Sequence, residues 1–407
     1  MKVLFIHNRY SIKGGEEESF EAEIRLLQDM GHEVGIYEET NEHVREFRRS
    51  QVALRAIWSR EVYRELRSRL SRSRYDIVHV QNFFPLISPA AHHAARAEGV
   101  RVVQSVRNYR LLCPAATLFR QGRVCEDCLG KAVPWPGVLH GCYRESRAGT
   151  ASVGAMIAAH RALRTWHRKV DLFVALTGFV RDKLIAGGLP ADRIVVKPNF
   201  VHHDRGAGRG AGDYALFVGR LSPEKGLGTL LQAWQRLAGR IELKIAGEGP
   251  LAGAAREAGA LSSGVQWLGR LNQVEIAELM GNARFLVCPS EWYEPFGRVA
   301  IEAFARGTPV LASDIGGLAE LVEHGRTGRL FRPGDPSDLA RQALWMLDHP
   351  AELAGMRNAA RIEFETRYTA ERNYAQLLAI YNRALDDPRP GAGRLVRPVP
   401  IGASSAV

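Results

Sequence analysis

The sequence lacks an apolar run long enough to span a bilayer, and its first residues turn polar after a short apolar stretch. A signal peptide would need a longer apolar region and a cleavage site, which are missing. We therefore expect a cytoplasmic protein, in which the five cysteines do not form disulfides. With 46% hydrophobic and 24% charged residues, the composition is that of an ordinary globular protein and excludes a fibrous or disordered one.

The positive charge is confined to one half of the chain. Residues 1–205 hold 32 Lys and Arg against 22 Asp and Glu, a net of +10, while residues 206–407 hold 23 against 22, a net of +1. This asymmetry indicates an anionic partner for the first half, whether a membrane surface, a phosphorylated substrate or nucleic acid.

The stretch 43–74 concentrates that charge, with ten Arg against three Glu. Apolar residues, among them Phe47, Ile57 and Trp58, recur in it at roughly helical spacing. One interpretation is a helix pair packed on a sheet with a solvated basic face. The other is a surface that docks on anionic lipid and inserts those apolar side chains.

Strand and helix patterns alternate along the chain, which favours an α/β fold of parallel sheets joined by crossover helices. A Gly-rich break at 201–213 divides the alternation in two. We predict two facing Rossmann-like domains with a deep cleft between them, with ligands at the carboxyl ends of the strands. The predicted units are residues 1–202, residues 203–368, a helix at 369–385 that packs back on the first domain, and a disordered tail at 386–407.

The stretch 291–318 carries the pattern most suggestive of a ligand site. A loop with Glu294 follows a strand, and a helix begins near Phe296 and Gly297. The free N–H groups of that first helical turn would seat a diphosphate. Glu302 follows among apolar neighbours, where a ribose diol would satisfy its carboxylate. Spacing alone, however, is explained as readily by a loop acid and a solvated helix acid.

Several blocks together resemble the family 4 retaining glycosyltransferases of the GT-B fold. The run Glu-Pro-Phe-Gly-x4-Glu from Glu294 to Glu302 resembles the family's Glu-x7-Glu signature, and Gly14-Gly15 before a helix also matches. Further blocks agree in order and spacing at residues 218–226, 245–250, 267–269 and 307–312. The resemblance implies an enzyme of bacterial cell-surface polysaccharide synthesis that moves a sugar from a nucleotide-diphosphate donor to a glycan or lipid-linked acceptor.

The resemblance also implies roles for single residues. The catalytic set would be Glu294, near the reacting sugar, with Arg220 and Lys225, which would bind the diphosphate and stabilise it as it leaves. The donor-binding set would be Gly14, Gly15, Phe296, Gly297, Val299, Glu302 and Arg107. Many relatives carry a His at the position of Arg107, and an Arg cannot act as a base at neutral pH. The resemblance implies that the departing phosphate accepts the proton instead.

Metal chemistry divides into two questions. The chain has no Asp-x-Asp pair, so we expect transfer without a catalytic metal or other cofactor. Four cysteines nevertheless fall in an insertion at 113–142, namely Cys113, Cys125, Cys128 and Cys142. In a cytosolic chain they are compatible with a structural Zn²⁺ site, although the outer spacings are not those of a standard finger, and free or redox-active thiols are the alternative.

Two other functions fit parts of the sequence. A GT-B-like epimerase or phosphorylase would use the same blocks without an acceptor glycan. A basic zinc-knuckle protein that binds nucleic acid would explain the charge and the cysteines but leaves Glu294 and Glu302 without a role, so we expect no nucleic-acid partner. The expected location is the cytoplasm, with attachment to the inner face of the membrane as an extension of the same hypothesis.

Overall fold

The computed structural model describes residues 1–11, 14–261 and 264–387 as two α/β halves, each built on a six-stranded sheet. The predicted tail lies outside the described residues from position 388 onward. Among the helices that are described, none combines the length and the apolar character needed to cross a membrane.

The first half contains eight strands and eight α-helices among its described residues. The strands are β1 (Lys2–Arg9), β2 (Glu33–Thr40), β3 (Ile77–Asn82), β4 (Arg101–Val106), β5 (Phe119–Arg120), β6 (Arg123–Val124), β7 (Leu172–Ala175) and β8 (Ile194–Val196). The helices are α1 (Gly15–Asp29), α2 (Arg49–Ile57), α3 (Arg60–Arg72), α4 (Ala90–Ala97), α5 (Trp135–Leu139), α6 (Arg147–Ala162), α7 (Thr165–Arg168) and α8 (Gly178–Ala186). The sheet is parallel, in the order β2-β1-β3-β4-β7-β8, while β5 and β6 form a separate antiparallel pair.

The second half repeats the arrangement. Its strands are β9 (Tyr214–Val218), β10 (Glu242–Ala246), β11 (Val265–Gly269), β12 (Phe285–Cys288), β13 (Val310–Ser313) and β14 (Gly328–Phe331). Its helices are α9 (Leu227–Leu237), α10 (Ala252–Leu261), α11 (Gln273–Asn282), α12 (Arg298–Ala305), α13 (Gly316–Leu321), α14 (Pro336–Asp348) and α15 (Pro350–Arg367), after which α16 (Ala370–Asp386) follows. The parallel order is β11-β10-β9-β12-β13-β14.

Strand order determines where each half can bind a ligand. The order reverses between β1 and β3 in the first sheet and between β9 and β12 in the second. In doubly wound sheets the binding crevice opens at the carboxyl ends of the strands on either side of such a reversal. The loops after these four strands are therefore the places to look for functional side chains.

The basic stretch forms the helices α2 and α3. Val62, Leu66 and Leu70 are buried in the core of the first half, which supports the interpretation of a helix pair packed on the sheet. Ile57 packs against the same core, and the ring of Trp58 lies 5.0 Å from that of His93. The expectation that Ile57 and Trp58 insert into lipid is therefore wrong, because both side chains point inward.

The helix α16 follows the second half in sequence but packs on the first. Leu377 and Tyr381 join the core that contains Val3 and Phe5. The helix begins where Thr369 Oγ1 accepts a hydrogen bond from the backbone N–H of Arg372, as a good N-cap does. The chain thus crosses between the halves twice.

A buried charge network joins α1, the first crossing and α16. Glu23 of α1 lies 2.6 Å from Lys197 Nζ, just after β8, and 3.2 Å from a guanidinium nitrogen of Arg107, just after β4. Asn373 of α16 accepts a hydrogen bond of 2.9 Å from Lys197. Burial alone would raise the pKa of Glu23, but Lys197 and Arg107 lower it to about 2. The carboxylate is therefore ionised at neutral pH and fixes three elements together.

We expect Glu23→Gln to lower the free energy of unfolding by about 3–5 kcal/mol at pH 7, because it leaves buried cations without their counter-charge. The folded pKa of about 2 lies below the ordinary value of 4.5. The contribution of the carboxylate is therefore present above pH 4.5 and lost as the pH falls towards 2. Urea denaturation between pH 7 and pH 3 should show a weaker loss of stability in the variant than in the unchanged protein.

Glu352→Gln, on the exposed face of α15, is the control. Equal pH dependence in all three proteins would contradict the assignment.

Candidate functional site

Two loops of the second half lie where the strand order of its sheet reverses, between β9 and β12, and face the first half. The loop after β9 carries Arg220 and Lys225, and the loop after β12 carries Glu294. Lys225 Nζ donates a hydrogen bond of 2.6 Å to Glu294 Oε1, and Ser290 Oγ donates one of 2.7 Å to Oε2. The structure therefore brings together two predicted catalytic residues that are 69 positions apart in sequence.

Glycines allow the two loops to approach each other. Gly226, at φ +71°, begins α9, and a Cβ there would lie 1.8 Å from the carbonyl oxygen of Pro289. Gly317 donates a backbone hydrogen bond of 2.8 Å to the carbonyl of Glu294, and a Cβ there would lie 2.9 Å from that same oxygen. A larger side chain at Gly226 would push the loop after β9 away from the loop after β12, whereas one at Gly317, in α13, would displace the backbone of Glu294 itself.

Arg220 sits at the edge of this arrangement. Its side chain is 61% exposed, and it contacts Glu224 and donates a hydrogen bond of 3.2 Å to Ser222 Oγ. These contacts hold the guanidinium on the solvent side of the loop, within reach of a ligand that enters the cleft. Its role at the diphosphate stays a prediction.

Glu302 lies beside Arg298, a residue that the sequence analysis did not identify. Arg298 Nε lies 2.8 Å from Glu302 Oε1, and the two groups form an ion pair whose geometry is not that of a hydrogen bond. The same guanidinium lies 3.0 Å from Glu18 Oε2 in α1 and donates a long bond of 3.5 Å to the carbonyl of Gly15. Burial raises the pKa of Glu302, with Arg298 opposing the shift and Glu18 adding to it. The sequence could have indicated this pair, because Arg298 precedes Glu302 by four residues and so lies on the same face of α12.

The N-terminus of α12 faces the same loops. Gly297 has φ +85°, and a Cβ there would lie 2.4 Å from Leu318 Cδ2, so the start of the helix requires glycine. The ring of Phe296 is buried and lies 6.3 Å from that of Tyr368, and Val299 is half-buried against the same core. Phe296 and Val299 would therefore meet a ligand mainly through their backbone N–H groups.

The Gly14–Gly15 loop lies opposite, at the start of α1. A Cβ on Gly14 would meet no atom of the described residues beyond its chain neighbours within 4 Å. The N–H of Gly14 donates a hydrogen bond of 3.2 Å to Glu17 Oε2. Gly14 would therefore accommodate a phosphate because it has no side chain, and its own N–H would not bond to that phosphate.

Arg107 lies within the first half, in the charge network around Glu23. Its Nε donates a hydrogen bond of 2.7 Å to Gln81, and one Nη donates a bond of 2.6 Å to Asn199. With Glu23 these acceptors occupy all three guanidinium nitrogens. Contact between Arg107 and the donor stays a prediction, and its observed partners indicate that it also orders the loop after β4.

The four cysteines of the insertion converge. Cys113, Cys125, Cys128 and Cys142 line one small cavity and form no disulfide. Burial raises the pKa of three of these thiols, that of Cys128 to about 11. In the described part of the chain, no group of three or more His, Cys, Asp or Glu side chains is already arranged to hold a metal ion. The fifth, Cys288, is buried at the end of β12.

Two family models match consecutive parts of the chain. Residues 13–205 match the model described as Glycosyltransferase Family 4, and residues 204–363 match the one described as Glycosyl transferases group 1. The first segment contains Gly14, Gly15 and Arg107, and the second contains Lys225 and Glu294.

Curated relatives match over part of their length. Glycogen synthase of Mycobacterium tuberculosis is 38% identical over 188 residues, which is 43% of this chain and 44% of that protein. D-inositol 3-phosphate glycosyltransferase 2 of Catenulispora acidiphila is 35% identical over 190 residues, again 43% and 44%. The chain thus spans less than half the length of these two relatives.

Solved structures match over nearly the whole chain. HepE of Anabaena, in complex with UDP-glucose, has a TM-score of 0.69 at 19% identity and covers 94% of this chain and 99% of its own. Sucrose-phosphate synthase of Thermosynechococcus elongatus has a TM-score of 0.69 at 17% identity, with 94% and 98% covered. These likenesses show a common two-domain fold.

We expect Glu294→Ala mainly to lower kcat and Glu302→Ala mainly to raise the dissociation constant of the donor. Glu294 lies by Lys225 at the loop where the leaving group would form, whereas Glu302 lies deeper in α12 beside Arg298. A contact made equally in ground and transition states raises KM, and one made mainly in the transition state lowers kcat. Steady-state kinetics with calorimetric donor titration distinguish the two effects. Glu352→Ala serves as the control, and full activity of both site variants would contradict the assignment.

Proposed function

The chain belongs to the family 4 glycosyltransferases and has their GT-B fold, and from this premise we propose that it is a retaining enzyme. It transfers a sugar from a nucleotide-diphosphate donor to a glycan or lipid-linked acceptor in cell-surface polysaccharide synthesis. The observation that carries the proposal is the pairing of Lys225 with Glu294 at 2.6 Å, at the strand reversal of the second sheet.

Charge around the cleft supports a diphosphate donor. Lys225 uses one N–H on Glu294, which leaves two donors of the ammonium group for phosphate oxygens. Arg220 and the N-terminus of α12 add positive charge at the same edge. That HepE, which shares this fold, was solved with UDP-glucose supports a nucleotide-sugar donor.

The proposed step needs no protein base. The bond between sugar C1 and the leaving phosphate oxygen breaks while C1 bonds to the acceptor hydroxyl oxygen on the same face of the ring. The hydroxyl proton passes to the departing phosphate oxygen. Lys225 and Arg220 would stabilise the charge that develops on that diphosphate, while Glu294 would hold the sugar.

A panel of UDP-, GDP- and ADP-sugars, assayed for nucleotide release with and without membrane extract, tests this function. We expect one donor to be consumed faster when acceptor is present, with the donor's anomeric configuration kept in the product. Activity should not require Mg²⁺, because the proposed step uses protein cations instead of a metal to stabilise the diphosphate. Consumption that is independent of acceptor would favour an epimerase or phosphorylase. Loss in EDTA with rescue by Mg²⁺ would contradict metal-independent transfer.

A lipid-linked acceptor would bring the enzyme to an anionic membrane surface. Exposed arginines along 45–74 support this proposal through charge alone, since Ile57 and Trp58 pack inward. The exposed apolar side chain on this surface is Leu54, at 68% exposure. Arg55, by contrast, is engaged by Glu61 at 2.7 Å and contributes less to an outside partner.

We expect binding to vesicles that contain anionic lipid, with each exposed arginine contributing about 1 kcal/mol near the surface. Changing Arg45, Arg48, Arg49 and Arg64 to Gln should reduce sedimentation with such vesicles and leave donor affinity unchanged. Salt should weaken binding of the unchanged protein, because the Debye length falls to roughly 3 Å at 1 M.

A charge-matched control isolates the surface from net charge. It changes four exposed arginines of the second half to Gln, namely Arg236, Arg240, Arg270 and Arg284. This control should sediment like the unchanged protein. Equal sedimentation with neutral and anionic vesicles would show that the first-half arginines form a solvated face and that the acceptor is a water-soluble glycan.

A further inference from the structure

The insertion between β4 and α6 has little regular structure to hold it. From residue 107 to 146 its described elements are the two-residue strands β5 and β6 and the five-residue helix α5. In small folds with this little regular structure, a cross-link or a metal adds to what apolar burial supplies. All four cysteines of the insertion line the same small cavity.

The surroundings of the thiols resemble those of a metal-binding knuckle. Cys125 follows the hairpin of β5 and β6, and Cys128 follows it after two residues. Gly137 donates a backbone hydrogen bond of 3.2 Å to Cys128 Sγ. Arg120 lines the cavity, where it pairs with Asp127 at 2.9 Å, so a cation lies beside the thiols.

We propose that Cys113, Cys125, Cys128 and Cys142 bind one structural Zn²⁺, and that this site holds Glu126 against the loop that carries Glu294. Four thiolates form a closed tetrahedral zinc site with Zn–S distances of about 2.3 Å. In binding all four thiolates, the ion would fix the knuckle. The closed coordination leaves no position for substrate, so the metal is structural.

The knuckle is linked to the second half of the molecule through Glu126 and the lysine it pairs with, Lys183. Glu126 Oε1 lies 2.5 Å from Lys183 Nζ in α8. That ammonium lies 4.9 Å from the ring centre of Tyr293, which also packs on Phe179 at 4.8 Å. Tyr293 directly precedes Glu294, so a fixed knuckle restrains the proposed catalytic loop from across the cleft.

Metal content tests the site without reference to activity. The reduced chain should contain or take up one equivalent of Zn²⁺, and Co²⁺ in its place should give the sulfur-to-cobalt charge-transfer band of thiolate ligation. Cys128→Ser and Cys142→Ser should lose this binding, while Cys288→Ala, which removes the one cysteine outside the insertion, should keep it. If a Cys→Ser variant does not fold, the stoichiometry and the cobalt spectrum of the unchanged chain still decide. The site would be overturned if the reduced chain bound no Zn²⁺. Free thiols would then be recognised by five cysteines that react with a thiol reagent, and a redox role by disulfides in the oxidised chain.

The link to the cleft rests on the proposed function and is tested separately. Glu126→Gln should keep one zinc and full donor affinity but lower kcat/KM for the acceptor about tenfold, the size expected for a lost charged contact. Removing the metal from this variant should add little to that loss, because both changes release the same loop. Unchanged transfer in Glu126→Gln would overturn the link while leaving the zinc site intact. An unchanged protein without transfer activity on any donor would instead refute the proposed function, and its zinc content would still be measurable.

Discussion

The carboxylate of Glu23 is the interaction on which the first half of the cleft depends. It attaches α1, which begins at the glycine loop, to Lys197 at the first crossing and to Arg107 after β4. A buried ion pair recovers its desolvation cost only when the remaining donors are satisfied, as Gln81, Asn199 and Asn373 do here. The start of the loop after β4, the crossing and the helix that follows the glycine loop are therefore joined by one buried network.

Cations and carboxylates hold the two halves of the molecule in contact at more than one point. Arg298 of the second half lies on Glu18 and Gly15 of the first. At another point Glu320 accepts backbone hydrogen bonds from Gly178 and Phe179 and so caps α8 across the boundary. A donor ribose that took the carboxylate of Glu302 would displace Arg298 from it. Donor binding and the contact between the halves would then compete for one guanidinium.

Much of the fold was predictable from sequence, because apolar runs and glycine breaks recur with the spacing of βα units. The prediction of two facing Rossmann-like domains is confirmed. Strands β11 and β14 carry the weaker sequence signal, since Val265–Gly269 and Gly328–Phe331 are partly exposed edge strands without a continuous apolar run. The pairing of Lys225 with Glu294 was accessible only through the family's motifs. The partners of Arg107 and Arg298 depend on tertiary approach, which no local spacing encodes.

The position of α16 has a consequence for how the protein is made. Its Asn373 and Tyr381 complete hydrogen bonds to Lys197 and His79 inside the first half. On the ribosome, those partners emerge only after the whole second half has been synthesised. Domains generally fold as units in the order of their synthesis. Here the N-terminal half cannot complete its hydrogen bonds to Lys197 and His79 until the second half and α16 have been synthesised. The second half can therefore reach its native packing first, and the core of the first half is completed last, when α16 packs on it.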